Sequence, residues 1–538
     1  MSGLGRASVL IGAGTIVSRV TGLLRTIVLV SAIGSVASRA GDAFGTAVSL
    51  PNSVYAIISA GLLTAVIVPQ IVRAAAQEDG GRAFISKLLT LGAVILLIAT
   101  GITTALAPWL VTLYAPAYKP DQLALATAFA YWLLPQIFFF GMFALLGEIL
   151  NARRVFGPYT WAPIVNNVVS IAGFAIFLWL FGGPVSSVSD WTPDMIALLA
   201  GSATAGIIVQ CVVLLLFWRR AGLRVRPDFR WRGVGLRHVG RLAGWTFLMV
   251  IVGQVAGIVQ SRIVSPASGD GAAALATQNA WLIFMLPYSI IVLSIGTPYF
   301  TQLSEHAHAG RDDAVRTDIG RSIRVLGLFT VIATVAVLVA AVPASRIFTD
   351  SAGQAVEASL VLAAYMVSLV PLAVLFVVQR SFYAYNDTRT PFFFTLLQGA
   401  IVVGTALVAE LLLTAGVIPL TMLAATIALG QSLASLVQVI VAAILLHRRL
   451  DGIHTAAWMR ALAFFALAAI PAAAAGWGMY LLSGGADGWM AADKFLGALG
   501  AVVIGLVCLV VYFGVLALFR TPDLAPATAI LRRFLPKR

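Results

Sequence analysis

The sequence predicts an all-α polytopic membrane protein, and three observations carry that prediction. First, the chain has 538 residues, of which 60% are hydrophobic and only 10% charged, whereas a soluble domain carries roughly 25% charged residues. Second, the apolar residues fall in long runs nearly free of charge, such as Leu88–Leu106 and Leu496–Leu518. A helix of about 20 residues crosses a hydrocarbon core of about 30 Å. Third, the basic residues sort to alternate loops, as they do in multi-pass proteins.

Reading apolar runs against charged or Pro/Gly-rich breaks gives about fourteen transmembrane helices. The predicted spans are 7–33, 42–72, 84–113, 123–152, 158–182, 193–218, 242–265, 272–304, 322–343, 355–385, 391–415, 418–446, 459–483 and 495–519. The segments at 42–72 and 272–304 exceed one membrane thickness, so bends are expected at Pro51 and Pro287. The first apolar segment carries Arg19 and Arg25, which a cleavable signal's short uncharged core would not.

The basic residues concentrate in 73–87, 153–154, 219–241, 311–324, 380–389, 448–460 and 520–538. The intervening loops hold only Arg39, Lys119, Arg346 and Lys494. Positive loops stay in the cytoplasm, so both termini are expected there, which requires an even number of spans. The stretch Arg219–Arg241 holds eight arginines and one acid, with Phe229, Trp231 and Leu236 between them. It reads either as ordinary positive-inside bias or as a helix on anionic headgroups. Membrane lipids, and not nucleic acid, are therefore the expected partners of the +14 net charge.

An internal repeat divides the chain. Leu50-Pro51-Asn52-Ser53 is echoed by Leu286-Pro287-Tyr288-Ser289, and Gly61 by Gly296. Tyr131 and Pro135 are echoed by Tyr365 and Pro371, and Pro158 by Pro391, all near one offset of 235. The unit is six spans, so both copies share one orientation and are expected to relate by an axis along the membrane normal. The expected organisation is a six-helix lobe over 1–220, a basic cytoplasmic linker over 221–241, and a second six-helix lobe over 242–450. Two additional helices and a basic tail occupy 451–538.

Ionisable residues inside spans are few. Arg19 lies about twelve residues into the first helix, roughly 18 Å along it. Thr15, Ser18, Arg19, Gly22, Arg25 and Thr26 form one polar stripe at helical spacing, with no acid on the helix. An intramembrane arginine costs several kcal/mol unless paired or wet. Two outcomes follow: pairing with an acid such as Asp42 or Glu148, or a guanidinium-lined cavity suited to phosphate. Asp42 opens the second helix, where it serves either as a cap or as a gate. Glu148 lies near Arg153 and the cytoplasmic surface. Arg262 stands in the outer part of the seventh helix, either adding cavity charge or anchoring at the interface.

No catalytic constellation is present. The five histidines fall in predicted cytoplasmic loops, and no Cys/His metal spacing or nucleotide-binding glycine loop occurs. No metal or other cofactor is expected, and the chain does not read as an enzyme. Cys211 and Cys508 both lie in predicted spans, which disfavours a structural disulfide.

Particular residues carry a family resemblance. Ser18-Arg19-Val20-Thr21-Gly22-Leu23-Leu24-Arg25, Asp42-Ala43-Phe44 and Leu50-Pro51-Asn52 resemble the opening of the MurJ/MviN lipid II flippases. Leu150-Asn151-Ala152, Phe156, Pro158, Ala162-Pro163 and Asn166-Asn167 resemble that family's junction between fourth and fifth spans. The resemblance implies a bacterial cytoplasmic-membrane protein of peptidoglycan biosynthesis, within a superfamily of multidrug and polysaccharide exporters. It implies movement of an undecaprenyl-diphosphate-linked precursor, lipid II, from inner to outer leaflet by alternating access. Arg19 and Arg25 match two arginines that engage the diphosphate. Asn52 and Tyr55 are expected beside them, with Arg262 a further candidate. Ser18, Gly22, Asp42, Pro51, Glu148 and Pro287 are expected to gate or shape the path. The last two spans match helices that form a groove for the lipid tail.

The chain departs from the family at several positions. Thr26 stands where an aspartate is frequent, Tyr55 near a frequent arginine of the second helix, and Leu282 at about the place of an eighth-helix arginine. The seventh helix has no acid for a sodium site. Two other functions fit the same sequence: export of another polyprenyl-linked glycan or a small molecule, and a membrane scaffold for cell-wall synthesis proteins. A cation exporter would place acids in its cavity, where this chain places arginines, and a scaffold needs no buried charge.

Overall fold

The architecture comes from a computed structural model that describes residues 3–60, 82–153, 155, 157–218, 227–229 and 236–521. The second half of the predicted second span, most of the linker 221–241 and most of the basic tail lie outside the described residues. The helices are, in order, α1 (Gly3–Ile33), α2 (Arg39–Ile58), α3 (Arg82–Ala105), α4 (Ala107–Tyr114), α5 (Pro120–Leu133), α6 (Gln136–Ala152), α7 (Gly157–Phe181), α8 (Pro193–Trp218) and α9 (Leu236–Val264). They continue with α10 (Ala274–Pro287), α11 (Ser294–His308), α12 (Asp312–Val339), α13 (Ala341–Arg346), α14 (Ala352–Met366), α15 (Leu369–Ala384), α16 (Arg389–Thr414), α17 (Leu423–Arg449), α18 (Thr455–Leu482) and α19 (Lys494–Leu518). Twelve helical segments among the described residues are long and apolar enough to cross a membrane. They coincide with the third to fourteenth predicted spans, and α1 and α2 with the first two.

The chain forms two compact units, Met1–Gly269 and Asp270–Arg538. The same irregularities punctuate each. A short helix follows the third span (Ala107–Tyr114) and the ninth (Ala341–Arg346). The fourth span breaks between Leu133 and Gln136, at Pro135, and the tenth between Met366 and Leu369, just before Pro371. Proline supplies no N–H and crowds the preceding turn, so a break belongs there. In the first unit the Thr204 hydroxyl donates to the Trp132 carbonyl beside the break, at 2.7 Å. In the second unit the Ser432 hydroxyl donates to the Ala364 carbonyl, also at 2.7 Å. Hydroxyls of a neighbouring helix thus serve backbone that lipid could not.

Close helix pairs rest on small residues, as membrane helices without a hydrophobic driving force require. A Cβ on Gly206 would stand 2.3 Å from Asn166 Oδ1, and one on Gly430 2.5 Å from Thr405 Oγ1. The eighth predicted span bends where expected. Pro287 ends α10, a π-helical turn over Tyr288–Leu293 follows, and α11 carries on. One predicted boundary moves. The ninth helix starts at Asp312, ten residues before the predicted 322, because Asp312 and Asp313 favour its N-terminal dipole end. The tenth span ends near the predicted 385, and Arg380, the first charge of the basic segment 380–389, lies inside its helix, which runs to Ala384.

The last two helices dock on the ninth span. Phe465, Ile504, Cys508 and Tyr512 share a core with Leu328, Val331, Ile332 and Val339. The Tyr512 hydroxyl donates to the Leu328 carbonyl at 3.0 Å. Arg346, predicted in an outer loop, is buried instead. It donates through Nε to Ala491 O and through Nη2 to Ala492 O, both at 2.8 Å, and through Nη1 to Thr349 O. One guanidinium therefore ties the turn between α18 and α19 to the end of α13. Removing it strands buried carbonyls, so Arg346→Ala is expected to cost about 2–4 kcal/mol. A lower thermal unfolding midpoint in detergent would register that cost, and an unchanged midpoint would refute the anchoring role.

Candidate functional site

The first helix is held by α7. Asn167 Nδ2 donates to the Ser18 carbonyl at 3.1 Å and to the Thr21 hydroxyl at 2.9 Å. A Cβ on Gly22 would stand 3.6 Å from that same amide nitrogen. Ser18, Thr21 and Gly22 therefore form the contact stripe, and Gly22 faces Asn167. Thr26 turns inward and bonds the Gly22 carbonyl of its own helix at 3.1 Å.

Arg25 falls one turn after Thr21 and two turns after Ser18, on the stripe that meets α7, and is half-buried. Arg19 lies off that stripe and is exposed. Neither guanidinium makes a hydrogen bond or an ion pair among the described residues. The expected alternative, pairing with Asp42 or Glu148, is not what these residues do. Two full sets of donors, with five N–H groups each, are left to face something else.

The remaining sequence-derived positions separate. Asn52 is exposed and donates to the Val48 carbonyl of its own helix at 3.0 Å, one residue after the buried Pro51. Tyr55 packs against Phe140, ring centroids 5.6 Å apart, at the edge of an apolar core built on α3, α6 and α8. Glu148 is half-buried on α6, close enough to Tyr55 and Tyr159 for electrostatic coupling. Tyr159 stacks on Phe143 at 5.0 Å and lies over Gly147, whose missing Cβ makes the room. Arg262 is exposed in the last turn of α9 and donates to the Leu113 carbonyl of α4 at 3.1 Å. It thereby satisfies a carbonyl in the last turn of α4, as basic side chains near helix ends often do.

Sequence reasoning missed a polar cluster at the end of the first unit where α1 stops and α2 starts. The N-cap of α2 is Ser38, whose hydroxyl accepts the Gly41 N–H at 3.0 Å. Asp42, in the same first turn, is fully buried. Its Oδ2 accepts the Ser268 hydroxyl at 2.7 Å, reaching the short loop that closes the seventh span. Gln122 Nε2 donates to Ser268 Oγ at 2.7 Å and to the Arg39 carbonyl at 3.0 Å. Tyr118 donates to the Asp42 carbonyl and exchanges a 2.8 Å bond with Thr46. Burial first, and the Asp42 carboxylate second, push the Tyr118 phenol well above its ordinary range, so it remains a donor. Gly269, at φ +91°, lies against the Arg39 side chain, where a Cβ would come within 2.7 Å of Nε. These bonds latch the seventh span to α2 and α5. Only Asp42 gave a signal in the sequence; Ser268 and Gln122 are ordinary loop and helix-start residues there.

The family model for "Lipid II flippase MurJ" matches residues 30–500. The chain belongs to the MurJ lipid II flippase family. Curated members are similar along most of their length. A probable lipid II flippase MurJ from Buchnera aphidicola is 24% identical over 396 residues, covering 71% of this chain and 74% of that protein. The lipid II flippase MurJ of Burkholderia cenocepacia is 27% identical over 403 residues, covering 72% and 74%. Among solved structures, a lipid II flippase MurJ in an inward closed conformation superposes with a TM-score of 0.72. It is 18% identical and covers 95% of this chain and 98% of that one. An inward-facing multidrug-resistance transporter of the MATE family superposes at 0.64, with 16% identity and 81% and 96% coverage. The MurJ fold is therefore shared, and MurJ proteins are transporters rather than catalysts. Together with the twelve apolar helices, membership makes this chain a multi-pass membrane protein.

Proposed function

We propose that this chain flips lipid II, carrying the diphosphate-linked headgroup across the membrane by alternating access. The observation that carries the reading is the pair Arg19 and Arg25, cations without a partner among the described residues on the first helix of a MurJ-family chain. A diphosphate is a ligand that their planar forks suit, through paired charge-assisted hydrogen bonds. Both termini are placed in the cytoplasm on the distribution of lysine and arginine. The Asp42 latch then lies at the outer end of the first lobe, and spans one to six and seven to twelve act as the two lobes.

The diphosphate enters from the inner side and meets Arg19 and Arg25, with Asn52 and Tyr55 on the next helix. Charge neutralisation lowers the cost of closing that side around the arginines. The Asp42–Ser268 latch opens, the seventh span leaves α2, and the headgroup exits outward while the tail stays in lipid. Glu148 and the bends at Pro51 and Pro287 shape the inner end of this path, and Arg262 steadies the outer end by capping α4. The two added helices flank the tail.

The test is transport by the purified full chain in proteoliposomes. Fluorescent lipid II is incorporated, and leaflet exchange is read by quenching from outside. Exchange well above protein-free vesicles is expected for lipid II, and none for a phosphatidylcholine probe of similar tail length. Equal exchange in empty and protein-bearing vesicles would reject the reading.

A further inference from the structure

We infer that Arg380, in the second unit, forms a separate binding site for the phosphate group of a lipid. Arg380 lies four residues before the end of α15 and is half-buried. Its guanidinium carbon stands 4.3 Å from the centroid of the Phe376 ring and 4.8 Å from that of Phe300. Ring contacts use the faces of the guanidinium and leave its N–H groups, which point outward in the plane, unspent. Among the described residues Arg380 makes no hydrogen bond and no ion pair.

Two carboxylates at the end of α15, Asp387 and Asp312, have other partners. Asp387 holds Arg449 and the Thr390 N–H and hydroxyl, and Asp312 accepts the Tyr385 hydroxyl. An arginine that served only to anchor the helix would be expected to take one of them.

The groups around Arg380 are also donors. Tyr288 and Tyr383 lie close enough to couple electrostatically with it. The Tyr383 hydroxyl accepts the Gln379 amide at 2.7 Å, so its own proton remains to be given. Phe376, Gln379, Arg380 and Tyr383 follow one another at helical spacing and present one face. Tyr288 opens the π-helical turn, a distortion frequent at functional sites. The packing that holds Phe376 is tight: a Cβ on Gly296 would stand 2.4 Å from its ring. Unspent guanidinium and hydroxyl donors on one face suit an oxyanion. At a helix end in a membrane protein, the oxyanions at hand are the phosphates of lipids: a polyprenyl diphosphate or an anionic phospholipid headgroup.

The purified full chain in zwitterionic detergent is titrated with farnesyl diphosphate and, separately, with short-chain phosphatidylglycerol, and binding is read by native mass spectrometry. Arg380→Gln is expected to weaken one or both probes at least tenfold. Arg380→Lys, which keeps charge but not the fork, should recover part of that loss. Tyr383→Phe leaves the guanidinium in place and should weaken the same probe about threefold or more. Loss confined to the diphosphate identifies the transported lipid as the source, and loss confined to phosphatidylglycerol identifies a boundary lipid. Unchanged binding of both probes in Arg380→Gln and Tyr383→Phe overturns the site. Arg19→Gln, run in parallel, separates this outcome from the flippase reading. Loss at Arg19 alone rejects the Arg380 site and leaves that reading standing; loss at Arg380 alone does the reverse.

Discussion

Replacing Arg19 or Arg25 with alanine is expected to abolish rescue of a strain depleted of its own lipid II flippase, with the protein still present in the membrane at normal amount. Each guanidinium can form two charge-assisted bonds to a phosphate, and each such bond contributes roughly 1.5–3 kcal/mol. Loss of one residue, with two such bonds, therefore weakens substrate binding by about 10²- to 10⁴-fold. The expected effect is larger here than where more arginines share the load, because Thr26, Tyr55 and Leu282 add no charge. Stability should scarcely change, since neither side chain holds another group among the described residues. The two outcomes separate cleanly. Growth at normal protein level would remove these arginines from the site, whereas loss of the protein itself would make them structural. Lysine should rescue only in part, because it keeps the charge and loses the fork.

Asp42→Leu is the second large effect, and it acts on access to the path. The Asp42–Ser268 bond is charge-assisted and fully buried, so its loss shifts the latch by about 1.5–3 kcal/mol, or roughly 10- to 150-fold in population. Ala43, next in sequence and fully buried, reports the change. A cysteine placed there should react slowly with a membrane-impermeant maleimide added outside intact cells. In the Asp42→Leu background it should react at least tenfold faster, with transport falling in step. Asp42→Asn still offers Ser268 an oxygen and should lie between. Equal labelling in all three backgrounds would remove the latch from the mechanism.

Much of the architecture was legible because the membrane demands it. A span must be long, apolar and internally hydrogen-bonded, so its limits show in composition. Its breaks show in proline, as at Pro135, Pro287 and Pro371. Prolines also marked the repeat, since Pro135 and Pro371 fall at the corresponding breaks of the fourth and tenth spans. Charges in spans were conspicuous by rarity, which is how Arg19 and Arg25 announced themselves.

What stayed hidden is the choice of partner across long chain separations. Ser268 meets Asp42 over 226 residues and Gln122 over 146, and no periodicity encodes either meeting. Arg346 reads as a loop charge until three carbonyls close around it. Arg380 reads as the first residue of a basic loop, because charge ends a hydropathy run even where the helix continues among aromatic rings. Asp42 reads equally as cap or gate in the sequence, and only the fold shows that Ser38 does the capping.

The docking of the last two helices has a dynamic consequence. Tyr512 is bonded to the ninth span, the Gly476 turn lies against Val339 and Cys508, and Arg346 grips the connecting turn. All of these fastenings belong to one unit. The pair of helices must therefore travel as passengers of that unit, keeping a constant distance to the ninth span whatever state the transporter occupies. Anything resting on those two helices would be carried in the frame of that one unit.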